Sequence, residues 1–218
     1  MPPKARSADR DQKSFDDWWS KHLFFTKDPR HSIYKRIYLK GADLDFIDCL
    51  TRCLLFADSL NVWRNEVGAR RKSERVATKG KLREGIETQS LFALDRVNYN
   101  RQYGSKDSFS PGMRENLRAL MLIAYSVNPE DFRAGGKSDR CGSFFLLVVT
   151  RHFQEKGVKP RNLLAAELLK KIRDQSFTKS HQEATQVKTR VEQFKRHTHD
   201  WQFRLNQFME NLHHLGTT

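Results

Sequence analysis

The chain has 218 residues, of which 40 are Lys or Arg and 26 are Asp or Glu, so its formal net charge is +14. Hydrophobic residues make up 38% of the chain, 15 Phe and 4 Trp supply large side chains for a core, and Gly and Pro are scarce at 11 and 6. This composition excludes a loop-rich or disordered protein, and the charge favours a polyanionic partner such as RNA or DNA.

Two features of the sequence predict an intracellular protein that does not associate with a membrane. No segment reaches the roughly 18 unbroken apolar residues of a spanning helix, and residues 1–13 lack the apolar run of a secretory signal. The cysteines Cys49, Cys53 and Cys141 are odd in number and form no CxxC pair. We therefore expect reduced thiols and a cytoplasmic or nuclear location.

The first part of the chain predicts a basic arm followed by helices. Residues 1–13 are polar and basic, and we expect a flexible arm there. Ser14, followed by two acidic residues within one helical turn, is typical of a helix start. Residues 33–39 are rich in β-branched and aromatic side chains and fit either a strand or a short helix. Residues 42–67 carry apolar side chains at helical spacing, and Gly68 is placed to end that helix.

The most strongly charged stretch is residues 69–83, which has few apolar side chains that could anchor it in a core. We expect it to be a basic loop or a frayed helix extension. A weaker helix is predicted over residues 84–103, followed by a turn-rich connection over residues 104–112. The basic stretch contains seven cations: Arg70, Arg71, Lys72, Arg75, Lys79, Lys81 and Arg83.

The second half of the chain predicts the centre of the core. Residues 114–127 are strongly apolar and predict a helix. Residues 144–149 are apolar on all sides and are either a buried helix or a strand. Helix is favoured because the polar residues that follow continue it and Gly157 closes it, after which Pro160 opens a further helix.

Residues 179–218 predict one long amphipathic helix with a heptad seam. Cations rather than acids flank the seam, which disfavours a parallel homodimeric coiled coil and favours packing on the core or on a partner. The sequence therefore predicts a mostly α fold, an irregular multi-helix bundle with a core domain at residues 14–178. The seam consists of Val187, Val191, Phe194, Thr198, Trp201, Leu205, Phe208, Leu212 and Leu215.

No pattern in the sequence predicts a catalytic or metal site. Cys49 and Cys53 are interpreted as buried small hydrophobic side chains, because no second pair of ligands has metal-site spacing. Asp43, Asp45 and Asp48 are interpreted as acids that start a helix. We therefore expect no metal, no cofactor and no enzymatic activity.

The segment Gly135-Gly136-Lys137-Ser138 shares only its last residues with a phosphate-binding loop. Asp131 stands where that motif requires its first glycine, and no predicted strand precedes it. We interpret the segment as a flexible connection.

Basic stretches are the strongest functional signal, and two of the three also contain aromatic residues. Cations fix phosphates, and tyrosine rings offer faces to exposed bases. The alternative is that the tyrosines belong to the core and the cations are ordinary solvated side chains. Besides residues 69–83, one such stretch covers residues 30–40 and another residues 96–106, and their candidate nucleic-acid-binding residues are Lys35, Arg36, Arg101 and Tyr103.

The function that these patterns predict is non-catalytic nucleic-acid binding, as a subunit of a ribonucleoprotein or nucleoprotein assembly. Single-stranded RNA or an RNA–DNA assembly is slightly favoured over duplex DNA, because no basic recognition helix of a helix-turn-helix stands out. We also expect a protein partner or further assembly subunits. The alternative function is a helical protein-interaction module, or adaptor, whose charge only steers association.

Overall fold

The computed structural model describes residues 5–22, 28–67, 72–103, 109–126, 139–173 and 180–216, with side chains for residues 12–21, 28–60, 81, 84–103, 109–126, 139–173 and 184–216. Every regular element in these ranges is an α-helix, so the predicted multi-helix, mostly α fold is confirmed. The helices are α1 (Ala5–His22), α2 (His31–Tyr38), α3 (Leu44–Val67), α4 (Lys72–Tyr103), α5 (Pro111–Ser126), α6 (Arg140–Glu155), α7 (Arg161–Arg173), α8 (Ser180–His197) and α9 (Trp201–His214).

The chain divides into two compact units. Unit 1 comprises Met1–Leu44 and Val149–Val187, and unit 2 comprises Asp45–Val148 and Lys188–Thr218. Because all three boundaries fall inside helices, α3, α6 and α8 each contribute residues to both units, α3 only its first residue to unit 1. None of the described helices combines the length and the apolar character that crossing a lipid bilayer requires.

Unit 1 is built around aromatic contacts between α1 and α2. The Trp19 ring packs edge-on against the rings of His31, with centroids 4.8 Å apart, and of Tyr34, with centroids 5.7 Å apart. Helix α2 occupies part of the 33–39 stretch because Ile33, Tyr34 and Ile37 are all buried on one side of it. Of the strand and the helix that the sequence allowed there, the structure shows the helix.

Unit 2 has its core where α6 meets the C-terminal helices. The ring of Phe144 is fully buried and lies 5.5 Å from the ring of Phe194 in α8 and 5.3 Å from the ring of Phe208 in α9. Residues 144–149 are all buried, as their apolar character on every side predicted. The end predicted for α6 is also confirmed, because Gly157 adopts a positive φ of 68° just beyond it.

Two local predictions are wrong and a third is narrowed. Helix α1 begins at Ala5, so most of the expected arm at residues 1–13 is helical and Ser14 does not start the helix. Of the basic loop and the helix extension that the sequence allowed at residues 69–83, the structure shows a helix from Lys72 onwards, because this segment lacks Pro and consists mainly of residues that tolerate a helix. Residues 68–71 lie outside the described part of the chain.

The third correction concerns the C-terminal helix, which is two helices rather than one. Helix α8 ends at His197 and α9 begins at Trp201, and the three residues between them form a turn. Thr198, His199 and Asp200 all have low helix propensity, which favours such a break. The seam nevertheless lies on the inside of both helices: all of its residues are buried except the half-buried Trp201.

Candidate nucleic-acid interface

Helix α4 of unit 2 is 32 residues long, and large aromatic rings are exposed on one side of it. Its inner side packs on α5 and α9 within that unit. The buried positions repeat at intervals of three and four residues, as expected for one face of a helix. They are Ile86, Ser90, Ala93, Val97 and Asn100.

The opposite side of α4 is exposed and bears large rings. Phe92, Tyr99 and Tyr103 expose 61%, 60% and 64% of their surface. Their intervals of seven and four residues place them on one line along the helix. We call this line the α4 outer face, and its members, all exposed, are Lys81, Gly85, Thr88, Phe92, Arg96, Tyr99 and Tyr103.

The α4 outer face combines aromatic rings with cations along the helix. The Tyr99 and Tyr103 rings contact each other, with centroids 4.6 Å apart and planes inclined by 42°. Arg96 lies between Phe92 and Tyr99, and its guanidinium sits 5.6 Å from the centroid of the buried Phe109 ring. This cation–π contact holds the Arg96 side chain in place while its charge stays at the surface.

The charge of the α4 outer face is positive. Lys81 and Arg96 are its cations, and the exposed carboxylate of Asp95 flanks the Phe92–Tyr99 line on the side opposite Arg96. The nearest acidic positions, Glu84 and Asp95, are exposed on the adjoining side of the helix. The arrangement can therefore hold an anion along the line of the rings, with Asp95 as a repulsive neighbour.

The structure describes the predicted basic stretch only in part. Arg70 and Arg71 lie outside the described residues. Lys72, Arg75, Lys79 and Arg83 belong to α4, but their side chains are not among those described. Lys81 is the cation of this stretch whose side chain is described, and it is exposed on the α4 outer face.

The candidate pair at the end of α4 divides between two surfaces. Tyr103 is exposed on the α4 outer face, as a base-stacking role requires. Arg101 instead faces α9, where its guanidinium donates to Glu210 and to Gln207, both at 2.8 Å. Because these two side chains occupy its terminal nitrogens, Arg101 joins α4 to α9 and is not part of the exposed line.

The candidates Lys35 and Arg36 belong to unit 1 and not to the unit that contains α4. Arg36 forms an ion pair with Glu167 of α7. Lys35 is half-buried on α2.

The remaining candidates for chemistry are two cysteines and an acidic residue of α3. Cys49 and Cys53 are buried free thiols, as predicted. A hydrogen bond from Cys53 lowers the pKa of Cys49, while that bond and burial raise the pKa of Cys53. Asp48 is buried and accepts a hydrogen bond from Arg52 at 2.8 Å. Among the described residues no cluster of His, Cys, Asp and Glu could hold a metal ion, and residues 135–138 lie outside them.

Sequence reasoning missed Phe92 and Gly85 as members of the exposed line. The signal was present, because Phe92 lies four, seven and eleven residues before Arg96, Tyr99 and Tyr103. What the spacing did not reveal is which side of α4 faces the core. That depends on α5 and α9, which pack on the other side.

Neither a protein-family model nor a curated protein nor a solved structure matches this chain. The functional assignment therefore depends on the chemistry of its own residues.

Proposed function

We propose that this protein binds nucleic acid without catalysing a reaction on it, as a subunit of a ribonucleoprotein or other nucleoprotein assembly. The observation that carries the proposal is the α4 outer face, where exposed aromatic rings and cations lie on one line. A chain with a net charge of +14 gains affinity for a phosphate backbone through the release of counterions. The basic residues 70–83, of which Lys81 belongs to this line, add further cations to the same helix and to the residues before it.

The proposal separates two contributions to binding. Cations such as Lys81 and Arg96 attract the backbone in a manner that salt weakens, whereas rings contribute contacts that salt affects less. Steep salt dependence is thus the signature of the proposed function, whichever strand is bound. Retention of nucleic acid during purification, with loss on nuclease treatment, is expected for the same reason.

The test is a pair of variants with the same change in charge. Lys81→Gln with Arg96→Gln removes both cations of the α4 outer face. Lys156→Gln with Lys159→Gln removes two exposed cations from unit 1. Affinity for a fluorescent single-stranded oligonucleotide is measured by anisotropy at several salt concentrations.

We expect the α4 variant to bind more weakly and to have a shallower slope of log affinity against log salt. The slope should flatten by about 0.7 for each phosphate that the variant no longer neutralises. The unit 1 variant should retain both affinity and slope. An equal weakening of binding in the two variants would assign binding to net charge alone and contradict the placement on α4.

The exposed rings also favour a second candidate function, docking of a protein partner by a helical interaction module. Leu91, 44% exposed, lies beside Phe92 and would enlarge an apolar contact. A partner protein that binds in the absence of nucleic acid, with an affinity that salt leaves unchanged, would favour this candidate over the first.

A further inference from the structure

The rings of Phe92, Tyr99 and Tyr103 stay more than half exposed, and the described residues of unit 2 pack on the other side of their helix. Single exposed apolar residues are common on protein surfaces and need no explanation. Three rings on one line of one helix, each more than half exposed, form a continuous aromatic surface and are not scattered single residues. Since the side chains that pack on α5 and α9 lie on the other side of α4, these rings are not required for its core.

We infer that the α4 outer face is a stacking platform for unpaired bases, so that its ligand is a single-stranded nucleic acid. This inference rests on the proposed function and names its substrate class. Phe92, Tyr99 and Tyr103 would receive base faces, and Arg96 and Lys81 would contact the phosphates between them.

The chemistry of the rings selects single strands over duplexes. In a duplex each base already stacks on its neighbours, and only base edges are open to a protein. Ring faces are therefore of use only where bases are splayed out, as in single strands, loops and ends. Phe92 reinforces this selection because it has no polar atom that could read a base edge.

The dimensions of the α4 outer face agree with a short extended strand. From Phe92 to Tyr103 the helix rises by roughly 16 Å. Arg96 stands within that span and is held over the Phe109 ring, so a cation is fixed between two stacking positions. The inclined planes of Tyr99 and Tyr103, 42° apart, do not stack on each other, which leaves ring surface open to a base.

The composition of the same face disfavours a protein as its occupant. None of its members is aliphatic, and its two cations outnumber the single carboxylate that flanks its rings, Asp95. An acidic protein surface would satisfy the cations but would leave the ring faces without planar partners. A strand of nucleic acid satisfies both, because each nucleotide carries one phosphate and one flat base.

The test compares two probes that differ only in their bases. One is a fluorescent single-stranded oligonucleotide, and the other is an abasic strand of the same length and charge. The full chain is compared with the triple variant Phe92→Ala, Tyr99→Ala, Tyr103→Ala at one salt concentration. We expect the unmodified protein to bind the base-bearing strand more tightly than the abasic strand, by roughly five-fold or more for each base that stacks on a ring. The triple variant, which lacks these rings, should lose the preference.

The variant should bind the abasic strand as tightly as the unmodified protein does, since its cations are unchanged. Tyr99→Phe with Tyr103→Phe keeps the ring faces and should retain the preference. Leu39→Ala removes an exposed apolar side chain from unit 1 and should change neither affinity. Circular dichroism checks that the variants keep their helical content.

The outcomes separate this inference from the proposed function. Equal affinity of the unmodified protein for the two strands, with steep salt dependence, would overturn the stacking platform and leave the proposed function standing. Tighter binding to a duplex than to the base-bearing strand would overturn it in the same way. No binding to any strand at low salt would overturn both. Competition by polyglutamate as effective as by the base-bearing strand would assign the face to an acidic protein surface and contradict the inference.

Discussion

The packing of unit 2 makes a strong prediction for Phe144→Ala. The Phe144 side chain is fully buried, and its ring contacts those of Phe194 and Phe208. Truncation of a buried Phe costs about 3–5 kcal/mol, and aromatic pairs of this geometry add stability beyond the area they bury. We therefore expect the upper part of that range, about 4–5 kcal/mol. For a chain of this length it corresponds to a fall in melting temperature of roughly 8–20 °C.

The matched control is Phe203→Ala, which removes the same side chain from a position in α9 that is 63% exposed. Its effect should stay within about 0.5 kcal/mol. Both variants are compared with the unmodified protein by urea unfolding, followed by far-ultraviolet circular dichroism, with the midpoint as the readout. If Phe144→Ala shifted the midpoint no further than Phe203→Ala, the packing of α6 against α8 and α9 would be refuted.

Further predictions concern stability, pH and binding. Gly85→Ala should raise the free energy of unfolding by about 0.5–1 kcal/mol, because the new Cβ meets no atom within 4 Å in a helix. Gly157→Ala should lower it by about 1–2 kcal/mol, because its φ is +68°. In thermal unfolding, a lower stability of Gly85→Ala would contradict the first of these predictions and a higher stability of Gly157→Ala the second. Burial lowers the pKa of His152, whose Nε2 accepts a hydrogen bond from the Asp43 backbone N–H at 3.3 Å. The unfolded chain then binds the extra proton, so stability should fall as the pH drops below the ordinary value of 6.5. In His152→Gln this dependence should flatten, and melting curves at several pH values check it. Asp95→Asn should strengthen oligonucleotide binding at low salt and less so at high salt, and anisotropy that shows weaker binding would contradict the positive α4 outer face.

Helical spacing in the sequence was enough to locate the central helices. The helix predicted over residues 42–67 is Leu44–Val67, and the one predicted over residues 114–127 is Pro111–Ser126. In both helices the apolar residues recur at helical spacing and form one side. Burial of that side stabilises the helix whichever elements pack against it. The break between α8 and α9 could not be found in this way, because the heptad spacing continues through the turn at residues 198–200.

The candidate site was less accessible to sequence reasoning than the fold. Tyr34 and Tyr99 both stand among basic residues, yet Tyr34 is fully buried and Tyr99 is 60% exposed. Local sequence does not distinguish these cases, because exposure depends on which neighbouring helices cover a face. Arg101 shows the same limit for a cation, since its partners Glu210 and Gln207 are more than 100 residues away along the chain.

The most direct measurement is the affinity of the purified full chain for a fluorescent single-stranded oligonucleotide over a range of salt concentrations. The proposed function predicts tight binding at low salt and a linear fall of log affinity with log salt. The slope should be about −0.7 for each phosphate that a cation neutralises. Affinity that is absent at low salt, or that salt leaves unchanged, would contradict nucleic-acid binding as the function of this protein.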